Sequence, residues 1–108
     1  MTKYVIEFHP LAEKDLSELD NSQIRQIRKV IGRVSQNPLP KNQDGYGEPL
    51  GHRQGLNLTG LCKIKLKKLG IRIVYKVIHD GDIMRIIVIA ARADNEVYEI
   101  ASKRVSDN

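Results

Sequence analysis

The stretch LCKIKLKKLGIR, residues 61–72, sets Lys63, Lys65 and Lys67 in alternation with Cys62, Ile64 and Leu66. Side chains of a β-strand point to opposite faces in turn, so this spacing describes a strand with one apolar face and one cationic face. Ammonium groups sharing a surface repel one another, and an anion relieves that repulsion. Taken alone, an alternating lysine strand is more commonly a solvated outer face. What lifts it here is the company it keeps: Arg72 opens the next strand-like run, Arg92 follows the one after, and Tyr98 comes shortly behind.

Working outward, Leu61–Leu66, Ile71–Ile78 and Ile83–Ala91 read as three successive strands joined by the turns at Leu69-Gly70 and His79–Asp82. Such short connections make antiparallel neighbours. The last run, IMRIIVIAA, is apolar at nearly every position, as suits a strand buried on both sides. Asp94 is placed to cap a final helix with Val97, Ile100 and Ala101 facing inward, and Lys103 and Arg104 complement the C-terminal end of its dipole. Towards the N-terminus, Tyr4–Phe8 is a short strand that ends at His9-Pro10, where proline suits a first helical turn. Ala12, Leu16 and Leu19 mark one amphipathic helix; Asp20, Asn21 and Ser22 supply turn and cap chemistry; Ile24, Ile27, Val30, Ile31 and Val34 stripe a second helix. Arg25, Arg28, Lys29 and Arg33 fall away from that stripe and give the second helix a basic outer surface.

Between Gln36 and Gly60 periodicity vanishes. Prolines 38, 40 and 49 and glycines 45, 47, 51, 55 and 60 indicate a long loop, of a length usually reserved for function or mobility. Lys41, His52 and Arg53 within it are solvated residues or extensions of the basic surface. The expected order is therefore βααβββα, a small α+β domain spanning residues 1–108, with the helices on one face of an antiparallel sheet and an open cleft on the other. No internal repeat, low-complexity tract or linker interrupts it.

Eighteen Lys and Arg residues against 13 acidic ones give 108 residues a formal charge of +5, which favours nucleic acid, an anionic surface or an acidic protein as partner. One cysteine excludes an internal disulfide framework and suits the cytoplasm; no apolar run reaches the roughly 20 residues of a membrane helix, and the first ten residues lack a signal peptide's apolar centre. His9, His52 and His79 have no ligand-like spacing, so no metal site is expected. Cys62 packs inward, without an identifiable base to activate it.

If the strands register as their turns suggest, Lys63, Lys65, Arg72, Arg92 and Tyr98 converge. Cleavage of RNA by its own 2′-hydroxyl needs a base for the hydroxyl proton, cations for the charge growing on phosphorus, and an acid for the departing 5′-oxygen, and needs no metal. Lysine is ordinarily too basic for the first task, and crowding by other cations is one physical route to a neutral amine. Arginine stays charged and grips phosphate with a planar fork.

KIKLKKLGIRIVYKV followed by MRIIVIAARADNEVY resembles the RelE branch of the RelE/ParE toxin superfamily, with its KIKL, glycine turn, GxRxVY, apolar strand, arginine and EVY in order. The resemblance implies a toxin that cleaves messenger RNA in the ribosomal A site, works without cofactor or metal, and is silenced by a cognate antitoxin protein. Residue by residue, it implies that Lys63 and Lys65 are the catalytic lysine pair, Arg72 the phosphate-stabilising arginine, Arg92 an acid or stabiliser, and Tyr98 the tyrosine of EVY. Either lysine fills the role of base. Arg25, Arg28, Lys29, Arg33 and Lys67 are then candidate contacts to ribosomal RNA. The rival is a ParE-like inhibitor of DNA gyrase, which shares the fold and has no use for the five residues together.

Overall fold

The computed structural model describes residues 3–53 and 55–106. Its elements run β1 (Val5–Phe8), α1 (Pro10–Ser17), α2 (Asn21–Val34), a short 3-10 turn (Lys41–Gln43), β2 (Glu48–Arg53), β3 (Leu56–Leu66), β4 (Ile71–Ile78), β5 (Ile83–Ala90) and α3 (Asp94–Ser106). One five-stranded sheet has the order β1-β5-β4-β3-β2, antiparallel except where β1 lies parallel to β5. This is the expected α+β order with one strand added.

The helix starts follow from local chemistry. His9 caps α1, its Nδ1 accepting from the Leu11 N–H at 3.1 Å, and Pro10 opens the helix where a missing N–H costs nothing. Asp20 caps α2 in a reciprocal box with Gln23: the Asp20 carboxylate accepts from the Gln23 N–H at 2.8 Å, and the Gln23 side chain accepts from the Asp20 N–H at 3.3 Å. Ile27, Ile31 and Val34 of α2 then bury against Ile71, Ile73, Tyr75, Met84, Ile86 and Ile89.

The expectation that all helices share one face is corrected. α3 lies on the opposite side, where Val97, Tyr98 and Ala101 pack on Leu50, Leu58, Leu61, Val74, Ile87 and Val88. β4 and β5 are apolar on both faces, so covering one alone would leave Val74, Ile87 and Val88 in water; at about 25 cal/mol per Å2 of apolar surface that is a strong drive for a second layer. A bulge sharpens the effect. Val74 pairs with Val88 and Tyr75 with Ile86, leaving Ile87 as the extra residue, so that Ile87 and Val88 both join the α3 side.

The expected loop from Gln36 to Gly60 is corrected too. β2 is an edge strand hydrogen-bonded to β3, which itself starts at Leu56 rather than Leu61. An edge strand tolerates Pro49, whose missing N–H can face away from the ladder, and the register shifts between Pro49 and Gly51, the latter at φ +64° where a side chain is disfavoured. Leu50 is buried between these irregular positions and ties the strand to the α3 core. The segment before β2 is also fastened: the Tyr75 hydroxyl donates to the Pro38 carbonyl at 2.7 Å, and Gly47 passes so close to that hydroxyl that a Cβ would collide with it.

β1 pairs with β5 only as far as Ile86, and the remaining edge of β5 is closed by side chains. Asp15 of α1 accepts from the Ile89 N–H at 3.1 Å, and Arg104 of α3 donates to the Ile87 carbonyl at 2.8 Å while pairing with Asp15 at 2.7 Å. Arg104, expected to serve the helix dipole, thus clips α3 to α1 around the sheet.

Candidate functional site

Three strand ends and the start of α3 meet at one end of the sheet. Lys65 and Arg72 are direct cross-strand partners, Arg72 is in turn opposite Ala90, and Lys63 stands opposite Val74 on the same face. The alternation read from the sequence therefore holds in sense: Cys62 and Ile64 go to the α1–α2 core, while Lys63 and Lys65 go to the α3 side. It fails in one respect, because Lys63 is not on a solvated face. It is only 7% exposed, roofed by α3 and flanked by β2.

A buried ammonium must be compensated, and here it is so from three directions. Lys63 Nζ donates to the Tyr98 hydroxyl at 2.8 Å, lies 5.6 Å from the centre of the tyrosine ring, and sits 3.8 Å from Glu48 and 3.9 Å from Asp94. Tyr98 reaches this place because its ring is a core residue of α3, 4% exposed, with its polar end turned to the lysine.

Arg72 is fixed on two sides. Its Nε donates to the Asp94 carboxylate, and its Nη1 donates to the Arg92 carbonyl at 2.6 Å. Arg92 extends further into solvent, its side chain 61% exposed and 3.4 Å from Glu96 one turn along α3. It stands on the rim of an open cleft of about 600 Å3 walled by Asp15, Glu18, Leu19 and Glu96, while Lys65 lines a separate groove of about 350 Å3 with Gln26, Lys67 and Lys68. Arg72, paired to Lys65 on one side and opposite Ala90 on the other, links the two.

Lys63, Lys65, Arg72 and Tyr98 are thus brought together, Arg92 joins them through its backbone carbonyl while its side chain turns to Glu96, and two acids that sequence reasoning missed stand among them. Asp94 is the first residue of α3 rather than its cap: Ala93 supplies the carbonyl that accepts from the Val97 N–H at 3.1 Å, which frees the Asp94 carboxylate to bridge Arg72 and Lys63. Burial works to raise that carboxyl, but the hydrogen bond from Arg72 and the charges of Lys63, Arg72 and Lys65 outweigh it and hold it below the usual carboxylate range. Glu48 is missed because it opens the unforeseen strand β2, where it pairs directly with Lys63. The crowding of like charges expected from sequence is therefore relieved from within the protein.

Arg25, Arg28, Lys29 and Arg33 lie apart from this cluster, exposed along α2 on the far layer of the sheet, whereas Lys67, exposed in the β3–β4 turn, shares a groove with Lys65. Lys41 is exposed in the 3-10 turn; the side chains of His52 and Arg53 lie outside the described residues. Cys62 is buried, and burial pushes its thiol above its ordinary value, consistent with a packing role. Among the described residues no helix is long and apolar enough to cross a membrane.

The family described as the ParE toxin of type II toxin-antitoxin systems, parDE, matches residues 6–96. A putative RelE-like toxin protein from Escherichia coli is 29% identical over 106 residues, covering 95% of this chain and 98% of its own length. The mRNA interferase toxin RelE of E. coli K12 is 28% identical over 102 residues, covering 94% and 97%. Among solved structures, a mutant of E. coli toxin RelE in the free state superposes with a TM-score of 0.74 at 26% identity, covering 96% of this chain and 99% of that one. With element order and sheet agreeing with that likeness, the chain belongs to the ParE toxin family of type II toxin-antitoxin systems and is a RelE-like member of the RelE/ParE superfamily.

Proposed function

We propose that this toxin is a ribosome-dependent, metal-independent endoribonuclease of the cytoplasm that cuts messenger RNA in the ribosomal A site and so inhibits translation. The observation that carries the reading is the buried Lys63 ammonium hydrogen-bonded to Tyr98, with Lys65, Arg72 and Arg92 at the same end of the sheet. In this scheme one of Lys63 and Lys65 acts as the neutral amine, whose lone pair takes the proton of the ribose 2′-hydroxyl as its oxygen forms a bond to phosphorus, and the other remains a cation of the cluster. The fork of Arg72, held by Asp94 and the Arg92 carbonyl, meets the charge growing on the non-bridging oxygens. The bond from phosphorus to the 5′-oxygen breaks in line with the attack, and the leaving oxygen takes its proton from the cationic cluster, with Arg92 as donor or stabiliser and Tyr98 orienting the groups. The products are a 2′,3′-cyclic phosphate and a 5′-hydroxyl.

Lys65 and Arg92 line two separate open grooves rather than one deep pocket, which supports dependence on the ribosome: the decoding site would bend the messenger into line and supply the walls that the toxin lacks. Arg25, Arg28, Lys29, Arg33 and Lys67 would grip ribosomal RNA phosphates. A cognate antitoxin protein would hold the toxin silent, as its type II family implies.

The ParE name of the matching family favours a second reading, inhibition of DNA gyrase without catalysis. Lys65→Ala and Arg92→Ala separate the two. Under the nuclease reading both variants lose toxicity in growing cells and leave messenger uncut; a gyrase inhibitor remains toxic with either substitution and blocks supercoiling by purified gyrase.

A further inference from the structure

We propose that Asp94 is a specificity-determining residue of the cation cluster: its carboxylate is a resident negative charge that restricts the site to a singly charged phosphodiester and turns away doubly charged phosphate monoesters. The inference rests on the nuclease reading and deepens it.

Position is the first argument. Asp94 opens α3 between Arg72 and Lys63, bonded to the one and 3.9 Å from the other, so it occupies ground that a second anionic charge of a ligand would need. Charge is the second. At their formal charges Lys63, Lys65, Arg72 and Arg92 face the carboxylates of Glu48, Asp94 and Glu96, which leaves one positive charge in excess, and none once the base lysine is neutral. A phosphodiester adds one negative charge to that balance, whereas a monoester adds nearly two. The third argument is the donor supply. Asp94 and the Arg92 carbonyl engage Nε and one N–H of Nη1, so Arg72 keeps its Nη2 edge for a ligand, and Arg92, with a 3.4 Å contact to Glu96 and most of its side chain in water, can swing to the same ligand. Substrate and cyclic phosphate product both carry one charge. Free phosphate and terminal monoesters carry close to two at neutral pH, and a site with no resident anion would hold them preferentially.

The test compares wild type with Asp94→Asn and Asp94→Ala, titrated with a 2′-O-methyl dinucleoside monophosphate, which cannot cleave itself, and with the corresponding 2′-O-methyl nucleoside 3′-monophosphate. NMR signals of the Arg72 and Tyr98 side chains report binding at the cluster. Loss of one partly screened charge tightens binding by about fivefold for each charge on the ligand, so the diester gains about fivefold and the monoester about twenty-five-fold. Both variants shift the diester-to-monoester ratio alike, because both delete the charge while only Asn keeps an acceptor for Arg72. Equal tightening of the two ligands, or weakening in the Ala variant alone, overturns the role of Asp94 and marks it as a strut; wild type then still cuts messenger on ribosomes. No response of Arg72 or Tyr98 to either ligand in any variant overturns the phosphate site itself.

Discussion

Lys63→Met separates stability from chemistry at the centre of the site. Methionine is one atom shorter than lysine and carries no charge, so it replaces the aliphatic stem in the slot between α3 and β2 and omits the ammonium. What is lost is the hydrogen bond to Tyr98, worth about 1 kcal/mol net, and two ionic contacts at 3.8 and 3.9 Å to carboxylates that are 48% and 39% exposed, each worth at most about 1 kcal/mol after screening. What is relieved is the burial of an ammonium in a side chain only 8% exposed, which costs several kcal/mol. The balance leaves the variant as stable as wild type or more stable by up to about 2 kcal/mol, while messenger cleavage falls at least about a hundredfold because base and phosphate contacts go together. Urea unfolding read by circular dichroism gives the first quantity, and primer extension on programmed ribosomes gives the second. A loss of more than about 3 kcal/mol would show that Lys63 is a structural cornerstone, and retained cleavage would remove it from the chemistry.

Three further outcomes follow from particular contacts. Asp15→Ala strands the Arg104 guanidinium, 14% exposed, and removes the acceptor of the Ile89 N–H, so it costs about 3–5 kcal/mol in urea unfolding, whereas Asp15→Leu with Arg104→Met recovers the part due to the stranded charge and not the lost Ile89 and Ile87 hydrogen bonds; an additive pair would contradict the clip. His9 is held below its ordinary value of 6.5 by burial first and then by the charges of Arg104 and Arg85, against the opposing pull of Asp15. Its contribution is therefore complete above pH 6.5 and is lost as pH falls through the depressed folded value, where protonation removes the acceptor for the Leu11 N–H. His9→Asn, which keeps a capping acceptor, flattens the loss of stability between pH 7.5 and pH 5, and a slope unchanged by the substitution would refute the assignment. Charge reversal of Arg25 and Lys29 weakens ribosome binding and reduces its salt dependence in sedimentation assays; binding unchanged at moderate salt would clear α2 of that role.

The sequence was most readable where one element's pattern is set by its own burial. The alternation in β3, the continuous apolar run of β5 and the stripe of α2 each report a face directly, and they carried the antiparallel pairing of β3, β4 and β5 and with it the pairing of Lys65 with Arg72. What was hidden depends on partners far along the chain. β2 has Pro49 and Gly51 in its middle and no alternation of its own, because its register comes from β3 and from Leu50 entering the α3 core. Glu48 was lost with it. Asp94 was visible as a capping residue, but starting α3 one residue earlier at its capping carbonyl turns the same carboxylate into the site. Nothing local links Asp15 to Arg104, 89 residues away, or tells that α3 crosses to the opposite face. That last point has a functional edge: only from that face can Tyr98 bring its hydroxyl to Lys63.

The most direct test of the account is the chemistry of the cut ends. Programmed ribosomes are treated with wild type and with Arg92→Ala, and the termini of the messenger fragments are identified enzymatically and by mass. The account predicts a 2′,3′-cyclic phosphate and a 5′-hydroxyl at a cut within the A-site codon for wild type, and no cut for the variant. Fragments bearing a 5′-phosphate, which internal attack by the ribose hydroxyl cannot produce, would contradict it.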